Sequence, residues 1–228
     1  MAENPTEEFS DAQRQAWVRL VSALRRVIEY SVALDASEQE LERRTDQVEE
    51  LGDALEPISG SKPVPRFAGY GPLKDGRPND FLPYSPIIGR LNPIAPPVEL
   101  TIVNERIIAR VNFGAAYEGG LGFVHGGVVA MVWDQVLAMA SVVAGFPGPT
   151  GELKVRYNKP TPLDRELRFE AWLDEKHERK TIARGRCFDS ELCVSEAEGT
   201  FVRLDFRSHA SGWGKQTAGA LPERRKGD

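Results

Sequence analysis

The sequence predicts an α+β domain in which an antiparallel sheet wraps around one central helix, with an N-terminal helical extension in front of it. Three observations carry this. Between residues 98 and 206, strand-like stretches flank a single helical one in the order two strands, one helix, four strands. The helical stretch, Gly127 to Val143, is apolar nearly all round, as a helix enclosed by other elements must be. The last strand alternates, with Cys193, Ser195, Ala197, Gly199 and Phe201 on one face and Val194, Glu196, Glu198, Thr200 and Val202 on the other. The first of these faces is built mainly of small residues, which lets a thick element approach the sheet.

Taken in order, residues 1–56 read as an N-terminal extension of two helices. Each opens on a capping-box signal, Ser10-Asp11-Ala12-Gln13 and Ser37-Glu38-Gln39-Glu40. In the first, Trp17, Leu20, Val21, Leu24, Val27 and Ile28 form a continuous apolar stripe that must dock on something, and an oligomer interface is the expected place. In the second, Leu34, Leu41, Val48 and Leu55 repeat every seven residues, but the seam positions Ser37 and Arg44 are polar. That pattern predicts a helix packed on one side rather than a coiled coil.

Residues 57–97 contain ten of the sixteen prolines, which resist both helix and sheet ladders. Phe67, Tyr70, Phe81, Tyr84, Ile87 and Ile88 are too apolar for a free linker, so this connector is expected to lie on the domain. The strands of the 98–207 domain are expected at 99–103, 106–113, 150–158, 166–177, 180–189 and 192–206. Residues 208–228 read as a frayed polar tail.

Composition narrows the function. A net charge of −5 and a pI near 5.4 argue against nucleic-acid binding, which rests on neutralising phosphates. The first residues have neither the basic nor the apolar segment of a signal peptide, so a cytoplasmic location is expected. Cys187 and Cys193 are too few for a disulfide framework and read as reduced, buried residues. The apolar run from Val128 to Ala144 is interrupted by Asp134 and Gln135, and a central Asp costs about 3 kcal/mol on insertion, so no membrane span is expected. No His, Cys and carboxylate cluster has zinc spacing and no phosphate-binding glycine pattern is present, so neither a metal nor another cofactor is expected. His177, between charged residues of a hairpin, and His209, in the tail, read as surface histidines. Arg224-Arg225-Lys226 reads as solvated charge.

The chemistry points to the glycine-rich segment 119–127, ending in His125-Gly126-Gly127, which opens the central helix. First-turn amides lack helical acceptors, and with the helix dipole they favour developing negative charge, such as the oxyanion of a polarised carbonyl. Asp134 stands mid-helix in apolar surroundings, where a carboxylate needs either a partner or a purpose. Seven residues separate it from Gly127, roughly 10 Å along the axis, so one subunit cannot easily bring both to one carbonyl. Two such helices antiparallel across a two-fold axis could.

These residues resemble the hotdog-fold thioesterases related to the phenylacetate-pathway acyl-CoA thioesterase and its mammalian relatives. In that family a His-Gly-Gly opens the central helix and an Asp follows the His by nine positions, as here. Thr150 to Pro160 likewise resembles the family's next strand, which begins with Ser or Thr and ends in Tyr-x-x-Pro. The resemblance covers roughly residues 98–206. It implies acyl-CoA hydrolysis, with Asp134 as general base or nucleophile, Gly126 N–H as oxyanion donor, an orienting role for His125 and a water-positioning hydroxyl on Thr150. Gly127 and Gly151 are the accompanying substrate-binding candidates, and a homodimer or a dimer of dimers is expected. Where some relatives carry Asn or Gln before the His, this chain has Gly119 and Gly120. The competing readings are a hotdog regulator with a DNA-binding extension, a dehydratase or hydratase, and a silent acyl-CoA binder. The first is disfavoured because residues 1–56 carry six basic and fourteen acidic side chains.

Overall fold

The computed structural model describes residues 10–59 and 78–202. Phe67, Tyr70, His209, the basic run at 224–226 and the whole 208–228 tail lie outside the described residues, as does the predicted strand beyond Val202.

Both capping serines act as expected, with one difference. Helix α1 (Asp11–Ser31) has the full reciprocal box: Gln13 N–H donates to Ser10 Oγ at 3.2 Å and Ser10 N–H to Gln13 Oε1 at 3.0 Å. Helix α2 (Glu38–Leu55) has only half, Glu40 N–H donating to Ser37 Oγ at 3.3 Å. The Glu40 carboxylate instead accepts from Arg43 and Arg44 at 2.8–2.9 Å.

Helix α1 docks part of its stripe within the protomer and leaves Leu20, Val27 and Ile28 exposed. Val21 is buried, Trp17 meets the Tyr84 ring at 5.7 Å, and the Arg25 guanidinium donates to the carbonyls of Gly89 and Asn92 at 2.8 and 2.9 Å. Helix α2 departs from the packed helix expected, for it buries no residue and leaves Leu41 and Val48 exposed. With polar residues at alternate seam positions, its apolar stripe is too narrow to compete with solvation of its charged faces.

The described part of the connector behaves as a strap. After a single turn α3 (Pro78–Phe81), Ile87, Ile88, Leu91, Ala95 and Val98 are all buried. Asn79 pins the strap from inside: its amide donates to the Ile88 and Val98 carbonyls at 3.0 and 2.7 Å, and its oxygen accepts from Leu100 N–H at 2.8 Å.

The sheet strands are β1 (Glu99–Val103), β2 (Arg106–Asn112), β5 (Thr150–Tyr157), β6 (Glu166–Lys176), β7 (Lys180–Asp189) and β8 (Leu192–Val202). They pair antiparallel throughout in the order β1-β2-β6-β7-β8-β5, so β5 is an edge although it follows the helix directly in the chain. A second hairpin that the sequence reading passed over as loop pairs β3 (Glu118–Gly120) with β4 (Phe123–Val124).

Helix α4 (Gly126–Val143) lies in the trough of the six-stranded sheet, with Val129, Val132, Trp133, Val136, Leu137 and Met139 fully enclosed. Each large side chain so buried contributes about 1.5–3 kcal/mol. The small-residue face explains how closely the helix can sit. A Cβ on Gly185 would stand 2.4 Å from the Trp133 ring, and that ring packs on Phe169 at 4.9 Å and donates through Nε1 to Ser195 Oγ at 3.0 Å. Among described helices, α4 is long and apolar enough to cross a membrane, but in this fold it is the core helix.

The face assignment of the last strand needs one correction. Cys187 pairs with Ser195 and Phe188 with Cys193, leaving Val194 as the extra residue of a bulge. The bulge turns Val194 inward and takes Cys193 off the helix-facing row, so Val194 is buried and Cys193 only partly so, while Cys187 is buried as expected. Both thiols are free, and burial pushes the Cys187 thiol pKa well above its ordinary value.

Candidate active site

The start of α4 is a rigid peptide array. His125 is the N-cap, with φ −57° and ψ 131°, and its Nδ1 accepts from Gly127 N–H at 3.0 Å. The His125 carbonyl accepts from Val128 and Val129 N–H at 2.9 and 3.2 Å. Because N–H and C=O point oppositely across a trans peptide, anchoring that carbonyl aims Gly126 N–H out of the helix end. No described residue accepts from it. Of the two first-turn amides, Gly127 is therefore occupied by the cap and Gly126 is open, which separates the donor candidate from its neighbour.

Tyr157 completes the array, its hydroxyl donating to the Gly126 carbonyl at 2.7 Å. The peptide between Gly126 and Gly127 is thus held at both ends, by Tyr157 at its C=O and by His125 at its N–H. Partial burial raises the Tyr157 pKa, which keeps the phenol a donor. Sequence reasoning quoted Tyr157 only as part of a strand motif, and nothing in its spacing announced this contact.

Of the glycines before His125, Gly119 has a steric role, whereas a Cβ on Gly120 would meet nothing. A Cβ on Gly119 would lie 2.6 Å from His125 Cα and 2.9 Å from its Cβ, so β3 can pass the cap only without a side chain there. An Asn or Gln at that position would displace the histidine.

Asp134 stands at the other end of the same face. It is half-exposed in the protomer rather than buried, and the Thr150 hydroxyl donates to its Oδ1 at 2.7 Å. Among the described residues no cation pairs with it. Within one chain Asp134 is therefore less buried than its apolar neighbours in the sequence imply. The reason is that α4 turns this face toward β5, the edge strand of the sheet, beyond which the protomer offers no further cover.

Strand β5 lies between the two features. Thr150, its first residue, holds Asp134, and Tyr157, its last, holds Gly126. Gly126 and Asp134 are eight residues apart, about 12 Å along the helix, so one chain does not bring the amide and the carboxylate together. Gly151 sits at a bulge in β5, where an added Cβ would meet the Val202 side chain at 3.0 Å; this packing role is distinct from the substrate contact expected of it.

A cavity of about 400 Å³ opens beside the helix start, between Phe123, Gly126, Val129, Tyr157, Lys159 and Thr161. Thr161 is 4% exposed and its hydroxyl has no protein partner among the described residues. No group of His, Cys, Asp and Glu among the described residues could hold a metal ion. His177 is exposed and meets Glu175 at 3.0 Å, away from this site.

Residues 121–191 match the family model of the thioesterase superfamily. Acyl-coenzyme A thioesterase THEM4 of Mus musculus is 28% identical over 105 residues, 45% of this chain and 45% of that protein. Acyl-coenzyme A thioesterase THEM5 of Homo sapiens is 27% identical over 101 residues, 42% of this chain and 40% of that protein. The chain thus spans less than half the length of these relatives. The crystal structure of a thioesterase superfamily protein aligns with a TM-score of 0.73 at 28% identity, over 82% of this chain and 90% of that one, a share larger than the sheet and central helix alone. The six-stranded antiparallel sheet around one helix is a hotdog fold, and the segment from the glycine loop to the end of β7 is similar to the thioesterase superfamily.

Proposed function

We propose that this protein hydrolyses acyl-CoA thioesters as a homo-oligomer whose sites form between two copies, with Asp134 from one and Gly126 N–H from the other. The observation that carries the reading is the pair of anchors on β5. A two-fold axis through the middle of that strand sets Thr150 beside the partner's Tyr157. It therefore sets Asp134 beside the partner's Gly126. An exposed eight-residue edge strand also needs covering, and a second copy of itself is a self-complementary cover.

In this arrangement the thioester carbonyl oxygen accepts from Gly126 N–H at the positive end of the helix dipole. Asp134, oriented by Thr150, takes a proton from water as the water oxygen bonds to the carbonyl carbon. The tetrahedral oxyanion then collapses, the C–S bond breaks, and the CoA thiolate leaves and takes up the proton held by Asp134. The cavity beside Val129 and Phe123 receives part of the substrate, with Lys159 and Thr161 as its polar contacts. The acyl-CoA thioesterase names of the matched relatives support the substrate class.

Thiol release across a panel of acyl-CoAs tests the reading. Asp134→Asn keeps the side-chain shape and is expected to lower kcat by about two or more orders of magnitude. Undiminished hydrolysis in that variant would exclude the mechanism.

A further inference from the structure

Helix α1 lies outside the segment matched by the family model, yet one of its side chains reaches the backbone that holds His125. We propose that Glu29 is a positioning residue for the oxyanion-donor turn, acting through the single 3-10 turn at Ala115–Tyr117. The proposal rests on the hydrolase reading for its kinetic consequence, but not for its structural one.

The linkage is continuous. Glu29 Oε1 accepts from Ala115 N–H at 2.7 Å and Oε2 from Ala116 N–H at 3.4 Å, so the carboxylate caps the turn's free amides. Gly114 makes room for it, since a Cβ there would stand 2.1 Å from Oε1. Tyr117, the last residue of the turn, places its carbonyl to accept from His125 N–H at 2.9 Å. His125 in turn caps Gly127 and ends the peptide that aims Gly126 N–H. The Tyr117 ring, edge-on to Phe113 at 5.5 Å, ties the turn to the end of β2.

The orientation of the donor peptide thus has two supports. Tyr157 acts from the edge strand, and Glu29 acts from a helix that is otherwise peripheral. A bare docking role for α1 is served elsewhere, by Trp17 on Tyr84 and Arg25 on the strap carbonyls. Nothing in that docking requires a carboxylate on the 115–117 amides.

The test compares Glu29→Ala, Glu29→Gln and Trp17→Ala in the full chain, by acyl-CoA kinetics and by backbone hydrogen exchange. Glu29→Ala is expected to lower kcat about tenfold with KM changed less than about twofold, the size of effect that a small misplacement of a reacting group produces. It is also expected to speed exchange across residues 115–127. Glu29→Gln keeps one acceptor oxygen and should fall between it and wild type, which covers the case of an Ala variant that folds poorly. Trp17→Ala loosens the same helix far from the turn and should lower Tm while leaving kcat in place. Equal losses of kcat in Trp17→Ala and Glu29→Ala would overturn the proposal, because docking alone would then explain both. Should wild type hydrolyse no thioester, the functional reading fails and the exchange data still decide: unchanged protection at 115–127 in Glu29→Ala overturns the linkage.

Discussion

Replacing Gly126 with proline isolates the oxyanion donor from everything else at the site. Proline removes one N–H, and position 126 is the first residue of α4, where that N–H has no helical acceptor and proline is tolerated. The residue before it must be extended, and His125 already is, at φ −57° and ψ 131°. A side chain at 126 meets the Tyr157 ring at 3.6 Å, an ordinary contact. Gly126→Pro should therefore fold, with stability unchanged or raised by about 0.4–1 kcal/mol through the less flexible unfolded chain. Its kcat should fall about 10²–10³-fold, or about 2.7–4 kcal/mol of transition-state stabilisation, the loss typical of one oxyanion donor. Gly126→Ala keeps the N–H and should stay near wild type. Mixing subunits then tests the shared site. In a dimer of Asp134→Asn with Gly126→Pro, one site loses both groups and the other retains both. Random pairing from two inactive parents should thus recover about a quarter of wild-type activity. Full kcat in Gly126→Pro would refute the donor assignment, and no recovery in the mixture would refute a site built from two chains.

Three further perturbations follow from the same geometry. Thr150→Val removes a hydroxyl donated to a carboxylate, an interaction worth about 1.5–3 kcal/mol, and steady-state assays should show kcat lowered roughly tenfold or more, with Thr150→Ser retaining most of it. Asn79→Ala orphans the Ile88 and Val98 carbonyls and the Leu100 N–H inside the strap; at about 1–3 kcal/mol for each buried orphan, urea unfolding should register about 3 kcal/mol or more of lost stability. Met131→Lys alters a residue 43% exposed in the protomer, so protomer stability should move by no more than about 0.5 kcal/mol. If that face meets a second copy, sedimentation should show dissociation and activity should fall with it.

The legible parts of this molecule are those fixed by local periodicity. Period-two alternation located the strands, and the all-round apolar helix bounded by glycine identified the central element. The small residues of the last strand signalled close helix approach, and a Cβ on Gly199 would indeed crowd the Phe201 ring at 2.9 Å and Leu137 at 3.3 Å. Contacts made by residues distant in sequence were not legible. The bulge at Val194 depends on how β8 meets β7, so the alternating row misplaced Cys193. Asn79 looks like an ordinary loop residue until the strap folds over three backbone groups. Tyr157 reaches the start of α4 from 31 residues away and Glu29 reaches the 115–117 turn from 86 and 87, and no spacing rule connects them. At the site, the motif residues were visible one by one; the division of labour between Gly126, which is free, and Gly127, which is capped, needed the histidine rotamer.

The surface that α4 leaves uncovered bears on why the amide and the carboxylate sit eight residues apart. Gly127, Met131, Asp134 and Ala138 recur at spacings of four, three and four, so they share one helix face that the protomer does not fully cover, and none of the four is buried. Ala130, midway between Gly126 and Asp134, flanks that face and is also not buried. Two antiparallel copies of α4 related about that midpoint bring each Gly126 level with the other chain's Asp134, and they cross where the side chains are small enough for close approach. Met131, flexible and apolar, stands beside the crossing and can adapt to it. In the proposed assembly, antiparallel pairing cancels the separation between Gly126 and Asp134, since each helix is displaced from its partner by the same eight residues in the opposite sense. The edge strand adds an independent constraint, because its own midpoint, between Leu153 and Lys154, falls between the residues that anchor the two functional groups. One two-fold axis near both midpoints satisfies helix and strand together, which is the geometric reason to expect an assembled rather than a solitary catalyst.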